Sequence, residues 1–541
     1  MRGGLLLLAL PFLACAGAGA CAIGVVPPAP ERTLARRSPI VPLEELDLLK
    51  DDAGRGAEER LALFDSLVAE VRAVHQFSPN TWENLAPLTF VSAVASLRYS
   101  FASAATEADL LGALTRFGNS LHDAHGGFEP APPFQTHITL PVLLAPDWAG
   151  DQMSIVVSES HARGIDPGDL VTSYAGTPAD SFLRSYADRS SANQWHGIAW
   201  GIAAWMTERP ADGGDGTDGG TVTLGLHKRD GTDSFANLTW SRGGWHGENV
   251  TDVDTPQLDH ARCAPRLPGR NYPTYELKSH GDTFCVYVSK SPRYAPYPVV
   301  RFFTFDFGRP FDAEAAYDHL SQTLRGLATP RTPMRGLVLD LRDNPGGNDP
   351  NWVLDWFAPK PYLDLKTQVR KTAWIDTIVL EDVANLDDGW VDALVKAPSG
   401  SMVSRFLGCK TSDCSDSRQK PQHRIVPVPV ALLVGPRCNS ACDHFARVWE
   451  ENGLGPIVGE PTGAALTVLR LDDPVMLGGK KLGSMRLAIS LDYSPFTALP
   501  VEGLPLHVDV PIVWTWEKRD TYDASLVDAA IGVLAPSKPP R

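Results

Sequence analysis

Pro429-Val430-Ala431-Leu432-Leu433-Val434-Gly435, followed closely by Cys438-Asn439-Ser440-Ala441-Cys442-Asp443, is the stretch on which the architecture turns. The first part is an apolar run of strand length between Pro and Gly. After it Ala441, Phe445, Val448 and Trp449 recur at helical spacing, and Gly453 supplies a stop. Strand, tight turn and helix in that order place Ser440 at a helix N-terminus. Unpaired backbone N–H groups and the positive end of the helix dipole would there stabilise an oxyanion formed beside the serine. Asn and Ser are equally ordinary helix caps, so this stretch alone leaves Ser440 open as cap or nucleophile.

A second stretch lies about a hundred residues earlier, Arg335-Gly336-Leu337-Val338-Leu339-Asp340-Leu341-Arg342-Asp343-Asn344-Pro345-Gly346-Gly347-Asn348. An apolar strand runs into a loop whose adjacent glycines can let the backbone approach a ligand and point N–H groups at it, or can simply make a turn. Together the two stretches resemble the tail-specific, or C-terminal-processing, serine peptidases, with their "DLRxNPGG" loop and "SAxE"-like nucleophile segment. Ile457-Val458-Gly459-Glu460-Pro461-Thr462-Gly463 is similar to that family's "VGExTxG" strand and turn, and the resemblance spans roughly residues 275 to 515. It implies an α/β peptidase core of the ClpP/crotonase-like type and hydrolysis of protein or peptide substrates without a cofactor or metal. Ser440 would be the nucleophile, and the N–H groups of Ala441 and of Gly346 or Gly347 would form the oxyanion hole.

The chain departs from the bacterial tail-specific members at the general base. Where they carry a lysine it reads Gly463-Ala464-Ala465-Leu466-Thr467, and Lys480 and Lys481 fall outside the matched turn. The branch that includes the tricorn core protease and the chlamydial secreted protease uses an N-terminal histidine and a late glutamate instead. Leu121-His122-Asp123-Ala124-His125-Gly126-Gly127-Phe128 resembles that branch's "LxDxHxxF" segment, which makes His125 the implied base. A neutral imidazole suits proton abstraction near neutral pH. On the residues alone, His125 could also close a helix before Gly126-Gly127 or join His122 in a metal site. Leu499-Pro500-Val501-Glu502-Gly503 resembles the closing segment in which a glutamate orients the histidine, so Glu502 is the implied third member, with Asp509 as its rival.

The remaining chain divides by pattern. Residues 1–20 have an early Arg2, an apolar run and a small-residue tail, as in an export signal, and Cys15 or Cys21 permits a lipid tether. Residues 23–42 read as a linker, and 43–130 as a helical region that carries His125. Residues 136–242 change to short strands and glycine turns. There Ala162-Arg163-Gly164-Ile165-Asp166-Pro167-Gly168-Asp169-Leu170-Val171 resembles a PDZ segment, which implies a peptide-binding module or a spacer. The core occupies 275–535, and its insertion at 360–424 shows no clear pattern.

The net charge of -15 disfavours nucleic-acid partners. Six cysteines lie beyond the signal, an even number that suits disulfides in an exported protein. Close spacing suggests 263 with 285 and 409 with 414, while Cys438 and Cys442 flank Ser440. A peptide-binding scaffold that has lost activity is the alternative function.

Overall fold

The computed structural model describes residues 55–75, 90–123, 125–131, 137–149, 152–186, 195–210, 220–242, 263, 275–308, 310–330, 333–347, 350–372, 375, 383–384, 388–406, 418–466, 469–519 and 521–535. The signal, the linker and the pair Cys409 and Cys414 lie outside the described residues.

Among the described residues three helices come first: α1 (Arg55–Val74), α2 (Phe90–Ser103) and α3 (Glu107–Asn119). A capping box between Thr106 and Asp109 starts α3, each side chain taking the other's backbone N–H. The inward stripes meet in a cluster of edge-to-face rings, Phe64, Phe101 and Phe117. The chain then enters a short strand, β1 (Gly127–Pro130).

Residues 137–242 build a second unit from β2 (His137–Thr139), β3 (Val142–Ala149), β4 (Gln152–Ser160), β5 (Leu170–Tyr174), α4 (Ala179–Ser185), α5 (Trp195–Trp205), β6 (Thr221–His227) and β7 (Asp233–Thr239). The antiparallel order β3-β4-β5-β6-β7 leaves β3 at the sheet edge.

The core contains β8 (Tyr275–His280), β9 (Phe284–Ser289), β10 (Val299–Phe302), α6 (Pro310–Leu327), β11 (Leu337–Asp340), α7 (Pro350–Phe357), β12 (Lys366–Arg370), β13 (Met402–Phe406), β14 (Val430–Val434) and α8 (Ala441–Glu451). It continues with β15 (Ile457–Gly459), β16 (Arg470–Leu477), β17 (Lys480–Ala488), β18 (Ser490–Tyr493), β19 (Val510–Pro511) and α9 (Tyr522–Leu534). Its main sheet has the order β8-β9-β10-β11-β14-β15-β19, parallel from β10 onward. Every residue of β11 and β14 is buried, as continuous apolar runs in a sheet covered on both faces require. The loops leaving the carboxyl ends of β10, β11, β14 and β15 meet at one place, where ligands bind in open parallel sheets.

The 360–424 insertion is more regular than its sequence pattern suggests. β12 pairs antiparallel with β13 on one side and β18 on the other. Only Thr367 and Val369 of its five residues point inward, an alternation too short to stand out beside the apolar strands.

Candidate active site

Ser440 sits at the start of α8 with φ 58° and ψ -126°, and its side chain makes no capping hydrogen bond. Of the two sequence readings of the hydroxyl, capping therefore does not describe it. A non-glycine residue so far from the allowed regions costs on the order of 1–3 kcal/mol, and such residues cluster at functional sites. The turn that holds it is over-determined. Cys438 N–H donates to Gly435 O at 2.9 Å, and a disulfide joins Cys438 to Cys442 across the serine. Ser440 N–H donates to Ala465 O at 2.8 Å, and Asn439 N–H to Asn344 O at 3.3 Å. Behind the turn α8 is buried through Trp449, with Phe445 and Trp449 stacked.

The glycine loop packs directly on this turn. A Cβ at Gly346 would lie 2.6 Å from Ser440 Cβ and one at Gly347 2.2 Å from Asp306 N, both at positive φ, so no other residue fits either place. The loop also closes on itself: Asn344 Oδ1 accepts the Gly346 N–H at 2.8 Å, while Gly346 O accepts Phe305 N–H at 2.7 Å. Of the two glycines named as oxyanion donors, Gly346 thus already uses its N–H, a bond its preceding asparagine makes available.

The segment 462–466 carries the remaining connections. Asp443, fully buried, accepts Thr462 Oγ1–H at 2.5 Å and Ala465 N–H at 2.6 Å. Burial pushes its carboxyl up to about 6, with those bonds and Arg447 opposing. Glu502, also buried, accepts Leu466 N–H at 2.8 Å, one residue along from the contact to Ser440. Asp509 instead accepts Ile457 N–H at 2.8 Å on β15, away from this segment.

His125 reaches the same place from the other end of the chain. Asp123 Oδ1 accepts the N–H groups of His125 at 2.8 Å and Gly126 at 3.2 Å. β1 then pairs antiparallel with β17, Gly127 opposite Arg486, and fixes where the loop leaves the helices. His125 follows the end of α3 by several residues and so does not close that helix. Lys480, on β17, pairs with Glu107 at 3.0 Å. Among the described residues no group of three or more His, Cys, Asp or Glu is arranged to hold a metal ion.

Ser440 and His125 line one cleft of about 940 Å³, together with Asn439, Arg437, Pro345 and Trp514 of the core and with residues of β3, β4 and α5. Glu502 is not among the lining residues and stays beneath the 464–466 segment. Residues 300–495 match the model described as Peptidase family S41. Over that region the chain is similar to peptidase family S41. It is a serine peptidase with the mixed α/β fold of that family. No curated protein matches the chain. Among solved structures, mature CPAF complexed with lactacystin is similar over 88% of this chain and 98% of its own, at 17% identity and a TM-score of 0.60. A CPAF mutant is similar over 90% and 99%, at 15% identity and a TM-score of 0.58. At these identities the likeness is one of fold.

The sequence reading of this peptidase missed His444, one turn into α8. It is buried, its Nε2 lies 2.7 Å from Asp364 Oδ1, and its Nδ1 lies 3.9 Å from Asp492 Oδ2. Burial alone would lower its pKa, but the two carboxylates outweigh it and push the imidazolium up to about 10. Asp364 lies in the insertion that showed no pattern. A histidine four positions after the serine was the one available signal.

Proposed function

We propose that this serine peptidase cleaves protein substrates through Ser440 as nucleophile, His125 as general base and acid, and Glu502 as the carboxylate that orients and charge-stabilises the imidazole. The observation that carries the reading is the strained, uncapped Ser440 sharing one cleft with His125. Ser440 Oγ attacks the scissile carbonyl as His125 takes its proton. The tetrahedral oxyanion receives the Ala441 N–H, the first amide of α8, and that of Gly347. His125 then gives the proton to the leaving amine, and water resolves the acyl-enzyme by the same steps. Residues 1–20 act as an export signal, in which Cys15 or Cys21 permits a lipid tether, and residues 136–242 are a PDZ-like module.

A fluorophosphonate probe tests the reading. It should label the native peptidase at Ser440, by peptide mapping, and fail to label Ser440→Ala, which should have lost peptide hydrolysis while keeping its melting temperature within a few degrees. Hydrolysis by Ser440→Ala at the wild-type rate would overturn the mechanism. A peptide-binding scaffold is the second reading, favoured by the edge strand β3 that lines the cleft. Peptide binding without any labelling would support it.

A further inference from the structure

We infer that Arg437 is a specificity residue that recognises a carboxylate of the substrate beside Ser440, either the free chain end or an acidic side chain. The inference rests on the peptidase reading of the cleft.

Arg437 lies three positions before Ser440, in the turn closed by Cys438 N–H on Gly435 O and stiffened by Pro436 and by the disulfide from Cys438. Its guanidinium is exposed, lines the cleft, and lies over the Trp200 ring at 5.4 Å from the centroid. Trp200 in turn meets Trp514 edge-on at 6.0 Å. Among the described residues no carboxylate pairs with Arg437. The chain nonetheless carries 64 acidic against 49 basic residues. Arg301, Arg342 and Arg447 of the same core are each committed to a carboxylate. Glu159 and Glu208 line the same cleft without pairing with Arg437, so a substrate carboxylate is favoured at the Arg437 end and repelled elsewhere. The Trp200 Nε1–H is shielded from solvent and has no acceptor among the described residues. A carboxylate laid along this stack would meet a planar, pre-placed fork of donors and an indole N–H that needs an acceptor.

The test uses fluorescence-quenched decapeptides in matched pairs, free acid against C-terminal amide and Glu against Gln at each position in turn. The wild-type enzyme should prefer one carboxylate member by on the order of tenfold in kcat/KM, the scale of one charge-assisted hydrogen bond. Arg437→Gln should bring that ratio near one, and Arg437→Lys should keep part of it. The acid/amide pairs and the Glu/Gln pairs tell the chain end from a side chain. A wild-type ratio below about twofold in every pair, or a ratio that survives Arg437→Gln, would overturn the inference. Polarisation binding of the same peptides, fluorescein-labelled, to Ser440→Ala separates this from the parent reading. Arg437-dependent selection of carboxylates without hydrolysis by the wild type would sink the peptidase mechanism and support the subsite. Hydrolysis blind to carboxylates would do the reverse.

Discussion

His125 and His444 differ in surroundings: one lines the cleft with Ser440, the other is buried between two carboxylates. His444 is the nearer in sequence, and its N–H donates to Ser440 O at 2.9 Å. Its ring, however, is sealed between Asp364 and Asp492 and holds its proton up to about pH 10. His125 comes from the far end of the chain, on a loop shaped by Asp123, and lines the substrate cleft. Closeness to a nucleophile does not make a general base. The imidazole must be free to exchange its proton at working pH, which requires access to the cleft and no buried pair of anions around it.

The largest effect expected from this contrast is on catalysis. His125→Ala should lower kcat by on the order of 10³ or more, whereas folded His444→Gln should stay within about tenfold of wild type. Single-turnover hydrolysis with circular dichroism as the folding control checks both, and the opposite ranking would exchange their roles. Glu502→Gln should fall between, with a loss on the order of 10², because orientation and charge stabilisation go while the base remains. A kcat equal to wild type would remove Glu502 from the mechanism.

His444 should matter instead for stability. His444→Leu strands Asp364 and Asp492 as buried charges and should cost about 3–5 kcal/mol in urea unfolding. The pH dependence has a definite sign. A folded-state pKa raised from 6.5 to about 10 gives stability that is full below pH 6.5 and lost as pH rises toward 10. Urea midpoints at pH 6.5 and 9.5 should therefore fall further for wild type than for His444→Leu, and equal slopes would refute the pairing.

A smaller effect concerns the disulfide across Ser440. Its closed loop is short, so removing it as Cys438→Ser with Cys442→Ser should cost about 2 kcal/mol. Loss of kcat/KM beyond what that destabilisation explains would mark the bond as holding the serine in its strained form. The smallest effect is expected at Lys480, whose part-exposed pair with Glu107 is worth roughly 1 kcal/mol or less. Lys480→Ala should keep wild-type turnover within about twofold, and a folded but inactive variant would restore a lysine base.

Sequence and structure agree best where local pattern and burial coincide. The runs at 337–341 and 430–434 could hardly be anything but buried strands, and Phe445, Val448 and Trp449 announce the helix that presents Ser440. Of the cysteine guesses, 263 with 285 is present as a disulfide, and Cys438 and Cys442, identified only as flanking the serine, bond to each other. The harder features depend on distance in the chain. Nothing local to Asp364 or Asp492 signals that both will enclose one histidine, because the three residues meet only after the 360–424 insertion folds against β18. Arg437 likewise reads as a surface charge until the fold brings Trp200 beneath it. The use of the Gly346 N–H by Asn344 was invisible for a different reason, since a glycine pair shows where backbone can approach but not which way its amides turn.

The pairing of β1 with β17 has a consequence for how the molecule comes into being. Gly127 and Arg486 lie about 360 positions apart, and closing a flexible loop of that length costs about 5 kcal/mol of chain entropy. Strand pairing across so long a separation is intrinsically slow. A ribosome must have delivered almost the entire polypeptide before the histidine loop has anything to dock on. Partial chains, whether nascent or truncated near residue 480, lack both this docking strand and Glu502 and should be unable to cut their neighbours.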